Sequence, residues 1–396
     1  MRIAFPIWEF RPTGGIERSV TEAVKWLLQR GHQVDVITAR DNSPLHHERL
    51  RVVRLPIPRF SSAGRPLRSM LEVPPFVAAA SLYLRHQRPL YDLVINYGVG
   101  QSLYQDVLVA TSCHAAWMQT RRHLPSRGIG NPLNGFILRV ERYNYRRGGH
   151  GAIVAVSRQV VTQLQHFYRI DPDEVTVVYP GVDIHEFSPT GREEARAQVM
   201  GHLALPPDAA VLVFAGQEYR RKGLDVVIRA LAGLHNPKAH LVVVGHDPIA
   251  EPYMRALAGE LGVAGRVHLA GARDDMPRYF RSADVFVFPS RMDAFGMVAL
   301  EAMACAVPVI VSSDAGVSEL IRQWENGVVL DTYGDPAEVA SAVNRLLSDS
   351  GLRARLGESA RKTALQHTWD HHSEAILAVG ERVVRNSATL SGGVLR

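Results

Sequence analysis

Residues 288–319 read FPSRMDAFGMVALEAMACAVPVIVSSDAGVSE, and no other stretch constrains the fold as tightly. The apolar run 285–288 is too short for a helix and fits a buried strand, ended by Pro289 and Ser290. A polar loop carrying Gly296 follows. The apolar run 298–303 then fits a buried helix, and Pro308 opens a β-branched strand at Val309, Ile310 and Val311. A loop that opens a helix with a glycine presents unpaired backbone N–H groups at the positive end of the helix dipole. Such a site suits a phosphate. Two acids flank the glycine, Asp293 and Glu301, eight positions apart. A carboxylate about two turns into the helix is placed to accept hydrogen bonds from ribose or sugar hydroxyls.

The same order recurs along the chain. Residues 2–7 read as a strand, 11–15 as a loop ending in Gly14 and Gly15, and 16–30 as a helix stopped by Gly31. Residues 33–38 form a second buried strand and complete a βαβ unit. Further strands are expected at 90–96, 105–110, 152–156 and 175–179, with a helix starting near Ser157. The stretch 180–189, with two prolines and a glycine, is a candidate hinge. The plan then repeats, with strands at 210–215, 240–245, 267–270, 285–288 and 308–312 and helices at 224–234 and 253–261. Alternation in both halves predicts an α/β protein with two doubly wound parallel sheets.

A chain of 396 residues has two domains as its natural expectation, and 46% hydrophobic residues let each half bury a core. No apolar run reaches the roughly 18 residues of a spanning helix. The best candidate, 73–84, carries Pro74 and Pro75. Glu9 and Arg11 interrupt the apolar start at 3–8, which argues against a signal peptide and makes the cytoplasm the expected compartment. Cys113 and Cys305 lie in different halves, so a disulfide framework is excluded and each reads as a small buried apolar residue. Residues 1–190 hold 23 Arg and Lys against 15 Asp and Glu, whereas the remainder holds 22 against 24. The first half therefore carries the basic surplus, which suits nucleic acid, an anionic membrane or an acidic acceptor. Gly98-Val99-Gly100 does not continue into a dinucleotide fingerprint. Asp171-Pro172-Asp173 has a metal-binding spacing but reads better as a polar turn before the strand at 175–179. No His/Cys cluster has metal-ligand spacing.

Segment 288–319 resembles the E-x7-E signature of retaining glycosyltransferases with the GT-B fold. The likeness runs from Gly14-Gly15-Ile16-Glu17-Arg18 through Val156-Ser157, Tyr179-Pro180-Gly181-Val182-Asp183 and Arg221-Lys222-Gly223 to Glu319. It implies two Rossmann-like domains facing across a cleft, with 1–185 binding the acceptor and 186–368 the nucleotide sugar. It further implies a helix at 369–386 that crosses back to the first domain; the terminal stretch 387–396 itself reads as a disordered tail. The implied reaction moves a sugar from a nucleoside-diphosphate sugar, UDP before GDP, to a glycan or glycolipid of the cell envelope, with no metal, no cofactor and no nucleic-acid partner. Two other classes compete: a non-catalytic nucleotide-sugar-binding subunit and a sugar-nucleotide epimerase of the same fold. One position departs from the signature, since Asp293 stands where the first acid is usually Glu.

The resemblance also assigns residues. Arg221 and Lys222 would hold the diphosphate and stabilise it as it leaves, and a solvated Arg220-Arg221-Lys222 turn is the competing reading. Gln217 occupies the place of an Arg common in the family, so Arg221 is expected to supply that charge. Phe295, Gly296, Met297 and Val298 would offer backbone amides to the distal phosphate. Glu301 would bind the ribose and Asp293 the donor sugar, against an acid on an exposed helix face for Glu301. Gly14 and Gly15 match a loop that meets the donor, or form an ordinary tight turn, and Glu17 and Arg18 fit either reading. His114 matches a histidine beside the reacting sugar, with a structural role as the alternative. Arg273 and Met276, with Asp274 and Asp275 between them, match the segment whose backbone reads the base, or form an acidic helix cap.

Residues 117–147 are read as a peripheral docking segment for an anionic membrane or acidic glycolipid. Arg121, Arg122, Arg127, Arg139, Arg142, Arg146 and Arg147 face the single acid Glu141. Trp117, Leu124, Ile129, Leu133, Phe136, Ile137, Leu138, Tyr143 and Tyr145 interleave with them. An acceptor loop followed by a surface helix, its apolar residues packed inward, is the competing reading.

Overall fold

The computed structural model describes residues 1–58, 60, 65–122, 133–146 and 151–392. The chain forms two compact units, Met1–Gly181 with Trp369–Arg396, and Val182–Thr368. The first holds seven strands: β1 (Arg2–Phe10), β2 (Gln33–Asp41), β3 (Leu50–Arg54), β4 (Leu93–Tyr97), β5 (Val107–Ala110), β6 (Ala152–Ala155) and β7 (Val175–Val177). They lie in the order β3-β2-β1-β4-β5-β6-β7, and every pairing is parallel. Ile3 lies opposite Val34 on one side and Leu93 on the other, and all three are fully buried. A strand covered on both faces reads as a continuous apolar run, which is why these strands were visible in the sequence.

The helix Gly15–Gln29 covers the sheet with Val20, Val24, Leu27 and Leu28. Against it packs the last helix, Trp369–Gly392, which also meets β4. At Gly380 of this helix a Cβ would collide with a methyl of Leu93, so glycine lets the helix seat this close without displacing that side chain. The helix runs on past Asn386 to Gly392, into the stretch expected as a disordered tail, where residues 387–391 contain no proline or glycine. Residues 393–396 of that tail lie outside the described residues. The apolar run 73–84 lies in the helix Arg65–His86, where Phe76, Val77, Ala80 and Leu84 are buried in protein. Among the described residues no helix is long and apolar enough to cross a membrane.

The second unit holds β8 (Ala210–Ala215), β9 (Ala239–Val244), β10 (Val267–Gly271), β11 (Val285–Phe288), β12 (Val309–Ser312) and β13 (Val328–Leu330). Their order is β10-β9-β8-β11-β12-β13, again all parallel. Both sheets are thus doubly wound, and each reverses its order once, between β1 and β4 and between β8 and β11. The sequence reading lacked β3 and β13. Each lies at a sheet edge, where one neighbour suffices and the apolar signal is short. The stretch 180–189 is irregular but fastened. Asp183 Oδ1 accepts from the amides of His185 (2.9 Å) and Glu186 (3.0 Å), and Arg361 donates to the Phe187 carbonyl at 2.6 Å.

Candidate functional site

Loops that leave adjacent strands in opposite directions open a crevice at the strands' C-terminal ends. In the second unit these loops are 216–223 after β8 and 289–296 after β11. They are locked to each other. The Arg291 amide donates to the Arg221 carbonyl at 2.8 Å. The Arg291 guanidinium donates to both Asp225 carboxylate oxygens at 2.8 Å and to the Arg220 carbonyl. Gly223, at φ 83°, passes so close to Pro289 that a Cβ would strike its carbonyl oxygen. Tyr219 ties the same loop to the one after β9, its amide donating to Asp247 at 2.9 Å and its hydroxyl to the Gly245 carbonyl at 2.9 Å.

This scaffold turns Arg221 and Lys222 inward. Their side chains are only 16% and 15% exposed, which overturns the solvated-turn reading for both, while Arg220 stacks on Tyr253 at 3.8 Å. Gln217 is exposed. Arg221 Nη1 donates to the Met292 carbonyl at 2.6 Å and lies 4.0 Å from Asp293 Oδ2. Lys222 Nζ donates to the same Asp293 oxygen and sits 5.0 Å from the centre of the Phe288 ring. Burial, and after it the Arg221 guanidinium, lowers the Lys222 pKa well below the ordinary lysine range. The Asp293 carboxylate against Nζ works the other way and favours the ammonium.

Asp293 is itself fixed. Its amide donates to the Asp314 carbonyl at 3.0 Å, its carbonyl accepts from Gly316 at 3.0 Å, and Oδ1 accepts from the Phe295 amide at 3.3 Å. Gly296 then adopts φ 91° and opens the helix Met297–Ala304. The first-turn amides of such a helix, Met297 and Val298 here, have no acceptor within it. Glu301 is one turn further along and 8% exposed, so it does not lie on a solvated helix face. Two cations, a carboxylate and a helix N-terminus therefore meet at the switch point of the second sheet. Among the described residues no three His, Cys, Asp or Glu side chains are grouped to hold a metal ion.

Arg273 and Met276 sit after β10 in the same unit. The Arg273 side chain donates to the Ala270 carbonyl at 2.9 Å and lies 2.9 Å from His202, so it points back along its own strand. Met276 begins the helix Met276–Ser282 with Asp275 at its N-cap, where no side-chain cap bond forms. Asp171 does cap a short turn, accepting from Asp173 at 3.0 Å.

The remaining candidates lie in the first unit. Gly14, at φ 107°, precedes the helix that Gly15 begins, and Glu17 pairs with Arg11 at 3.2 Å. His114 starts the helix His114–Arg122 and stacks on Trp117 at 5.1 Å. Its Nε2 is buried with no partner among the described residues, and burial lowers its pKa. Glu141, read from the sequence as the lone acid of a basic surface, is fully buried. It accepts from the amides of His114 (2.7 Å) and Ala115 (3.0 Å) and from the Tyr168 hydroxyl. It is thus the cap of the His114 helix, a role that a separation of 27 residues hides from local sequence reading. On the helix Leu133–Arg146, Arg139, Arg142, Tyr143 and Arg146 are exposed while Val140, Asn144 and Tyr145 are buried. Leu124, Arg127, Ile129, Arg147 and the Arg122 side chain lie outside the described residues.

Residues 196–363 match the family model described as Glycosyl transferases group 1, and residues 13–186 match Glycosyltransferase Family 4. The D-inositol 3-phosphate glycosyltransferase of Salinispora arenicola (strain CNS-205) is 37% identical over 246 residues, 58% of this chain and 55% of that protein. The chain therefore spans about half the length of the curated relatives it matches. Among solved structures, WaaG, a glycosyltransferase involved in lipopolysaccharide biosynthesis, aligns with a TM-score of 0.77 at 22% identity, over 96% of this chain and 99% of that one. Anabaena HepE in complex with UDP-glucose aligns with a TM-score of 0.70 at 20% identity, over 98% and 100%. Identities this low establish the fold, and the two family matches fall on the two units in turn. The chain belongs to the group 1 glycosyltransferases of the GT-B fold.

Proposed function

We propose that this chain transfers a sugar from UDP-sugar to a glycan or glycolipid acceptor, with retention of configuration at the anomeric carbon. The observation that carries the reading is the meeting of Arg221, Lys222 and Asp293 at the mouth of the helix Met297–Ala304. Two cations and a helix N-terminus form a site for a diphosphate, and they act most strongly on charge that develops as it departs. The bond from the anomeric carbon to the distal phosphate oxygen breaks. The acceptor oxygen bonds that carbon from the same face and gives its proton to the leaving phosphate. Glu301 holds the ribose, Asp293 the transferred sugar, and the amides of 295–298 the distal phosphate. The first unit supplies the acceptor site, with Gly14, Gly15 and His114 among its residues, and in the second unit the backbone near Arg273 and Met276 reads the base. Support for UDP comes from HepE, which carries UDP-glucose in a like fold.

The test is release of nucleoside diphosphate from UDP- and GDP-sugars, with and without glycan, glycolipid and inositol phosphate acceptors. Acceptor-dependent release of UDP, with an anomeric proton coupling matching the donor's, is expected. Conversion of the donor without acceptor would establish an epimerase, and tight binding with no turnover a binding subunit.

We further propose that the chain works at the inner face of the cytoplasmic membrane. The support is the exposed stripe Arg139, Arg142, Tyr143 and Arg146, one face of a helix whose other face is buried.

A further inference from the structure

Glu218 lies in the loop after β8, and its backbone is strained. It sits at φ 53° and ψ 58°, in the left-handed region that residues with a Cβ enter at a cost. Among the described residues four other non-glycine positions share a positive φ. Arg169, Ala204 and Ala306 follow the ends of helices, where a left-handed residue is an ordinary stop, and Trp324 lies in a turn. Glu218 instead precedes a turn, so helix termination does not explain it. Strain that the surroundings maintain at a site points to a role for the residue held there.

The conformation aims the side chain. Glu218 Oε2 accepts from Arg221 Nε at 2.8 Å and lies 2.6 Å from Nη2, while the Glu218 carbonyl accepts from the Lys222 amide at 3.0 Å. On its other edge Arg221 donates from Nη1 to the Met292 carbonyl at 2.6 Å. A guanidinium clamped along both edges has one orientation, and that orientation brings Nη1 to 4.0 Å from Asp293, beside Lys222. Glu218 is half-exposed, so its cost of desolvation is modest.

We propose that Glu218 is a positioning residue that aims the Arg221 guanidinium at the departing diphosphate, an inference that rests on the donor-site reading above. Its carboxylate also places a negative charge beside the anion site, which opposes ground-state binding of the diphosphate. Removing it therefore loosens the transition-state contact without weakening the ground-state one.

The experiment measures UDP release from UDP-glucose, with and without acceptor, and the affinity for UDP alone by calorimetry. Glu218→Ala is expected to lower kcat about ten- to a hundredfold while binding UDP no more weakly than the parent. Glu218→Gln retains a carbonyl oxygen for Arg221 and should recover part of the loss. Glu218→Gly relieves the left-handed backbone, so its Tm should equal or exceed the parent's while kcat falls as in Glu218→Ala. Adding Glu218→Ala to Arg221→Ala should cost nothing further. Full kcat in Glu218→Ala beside an impaired Arg221→Ala, or additive losses in the double variant, would overturn the proposal and leave the donor site standing. Full kcat in Arg221→Ala would remove the donor-site reading and this inference with it.

Discussion

Lys222 and Asp293 are each other's nearest charge, so their variants report on different parts of one site. In the proposed donor site Lys222→Ala removes a cation from the departing diphosphate and should reduce turnover by about two to three orders of magnitude, with circular dichroism little changed. Near-normal turnover would sink the assignment. Glu301 and Asp293 separate in binding. Glu301→Ala should weaken both UDP and UDP-sugar, whereas Asp293→Ala should spare UDP, and equal losses of UDP affinity would contradict the division of roles. Asp293→Glu restores the longer acid of the family signature, and a shift in donor preference is the expected result. At this scale the residues adjacent in sequence, 293–301, were legible because one loop and one helix carry them. The partners Asp225 of Arg291 and Asp293 of Lys222 were not, since each pair is brought together only by two strands lying side by side.

The last helix, Trp369–Gly392, carries its own pH dependence. His372 is buried on it, and Nδ1 lies 2.9 Å from the Tyr179 carbonyl, which only accepts, so Nδ1 bears the proton. In the neutral ring Nε2 then accepts from the Tyr97 hydroxyl at 3.1 Å. Burial lowers the His372 pKa to about 4. As pH falls through about 6.5 the unfolded chain takes up a proton that the fold refuses until about 4, so stability present above 6.5 is lost across that interval. The loss comes to about 3 kcal/mol at full extent. Denaturant midpoints of the parent and His372→Gln, compared from pH 7 to 4.5, should converge as pH falls; parallel lines would refute it. A second element depends on a distant cap. Glu141→Ala leaves the His114 and Ala115 amides without their acceptor and should cost about 1–3 kcal/mol of stability, read by thermal unfolding. Helices with continuous apolar faces were readable from sequence, while Arg65–His86 was obscured by Pro74 and Pro75.

For the whole molecule the basic surplus of the first half motivates the proposed attraction to an anionic surface. Sedimentation with vesicles should require anionic lipid, weaken with salt, and fall when Arg139, Arg142 and Arg146 become Gln, each cation being worth about 1 kcal/mol. Equal binding to neutral and anionic vesicles, or none, would favour a soluble acceptor. The alternation of apolar runs with amphipathic ones was sufficient by itself to specify two parallel doubly wound sheets, because a strand buried on both faces and a helix buried on one leave distinct local periods. It also located a glycine-led helix start at Gly296 with an acid on either side. Tertiary structure alone decided which charges meet. Lys222 reaches Asp293 across 71 residues because β8 pairs with β11, and that pairing follows from strand order, which no local period records. The same non-local packing buries Glu141 at the start of a helix 27 residues away and sets the Met292 carbonyl against the Arg221 guanidinium.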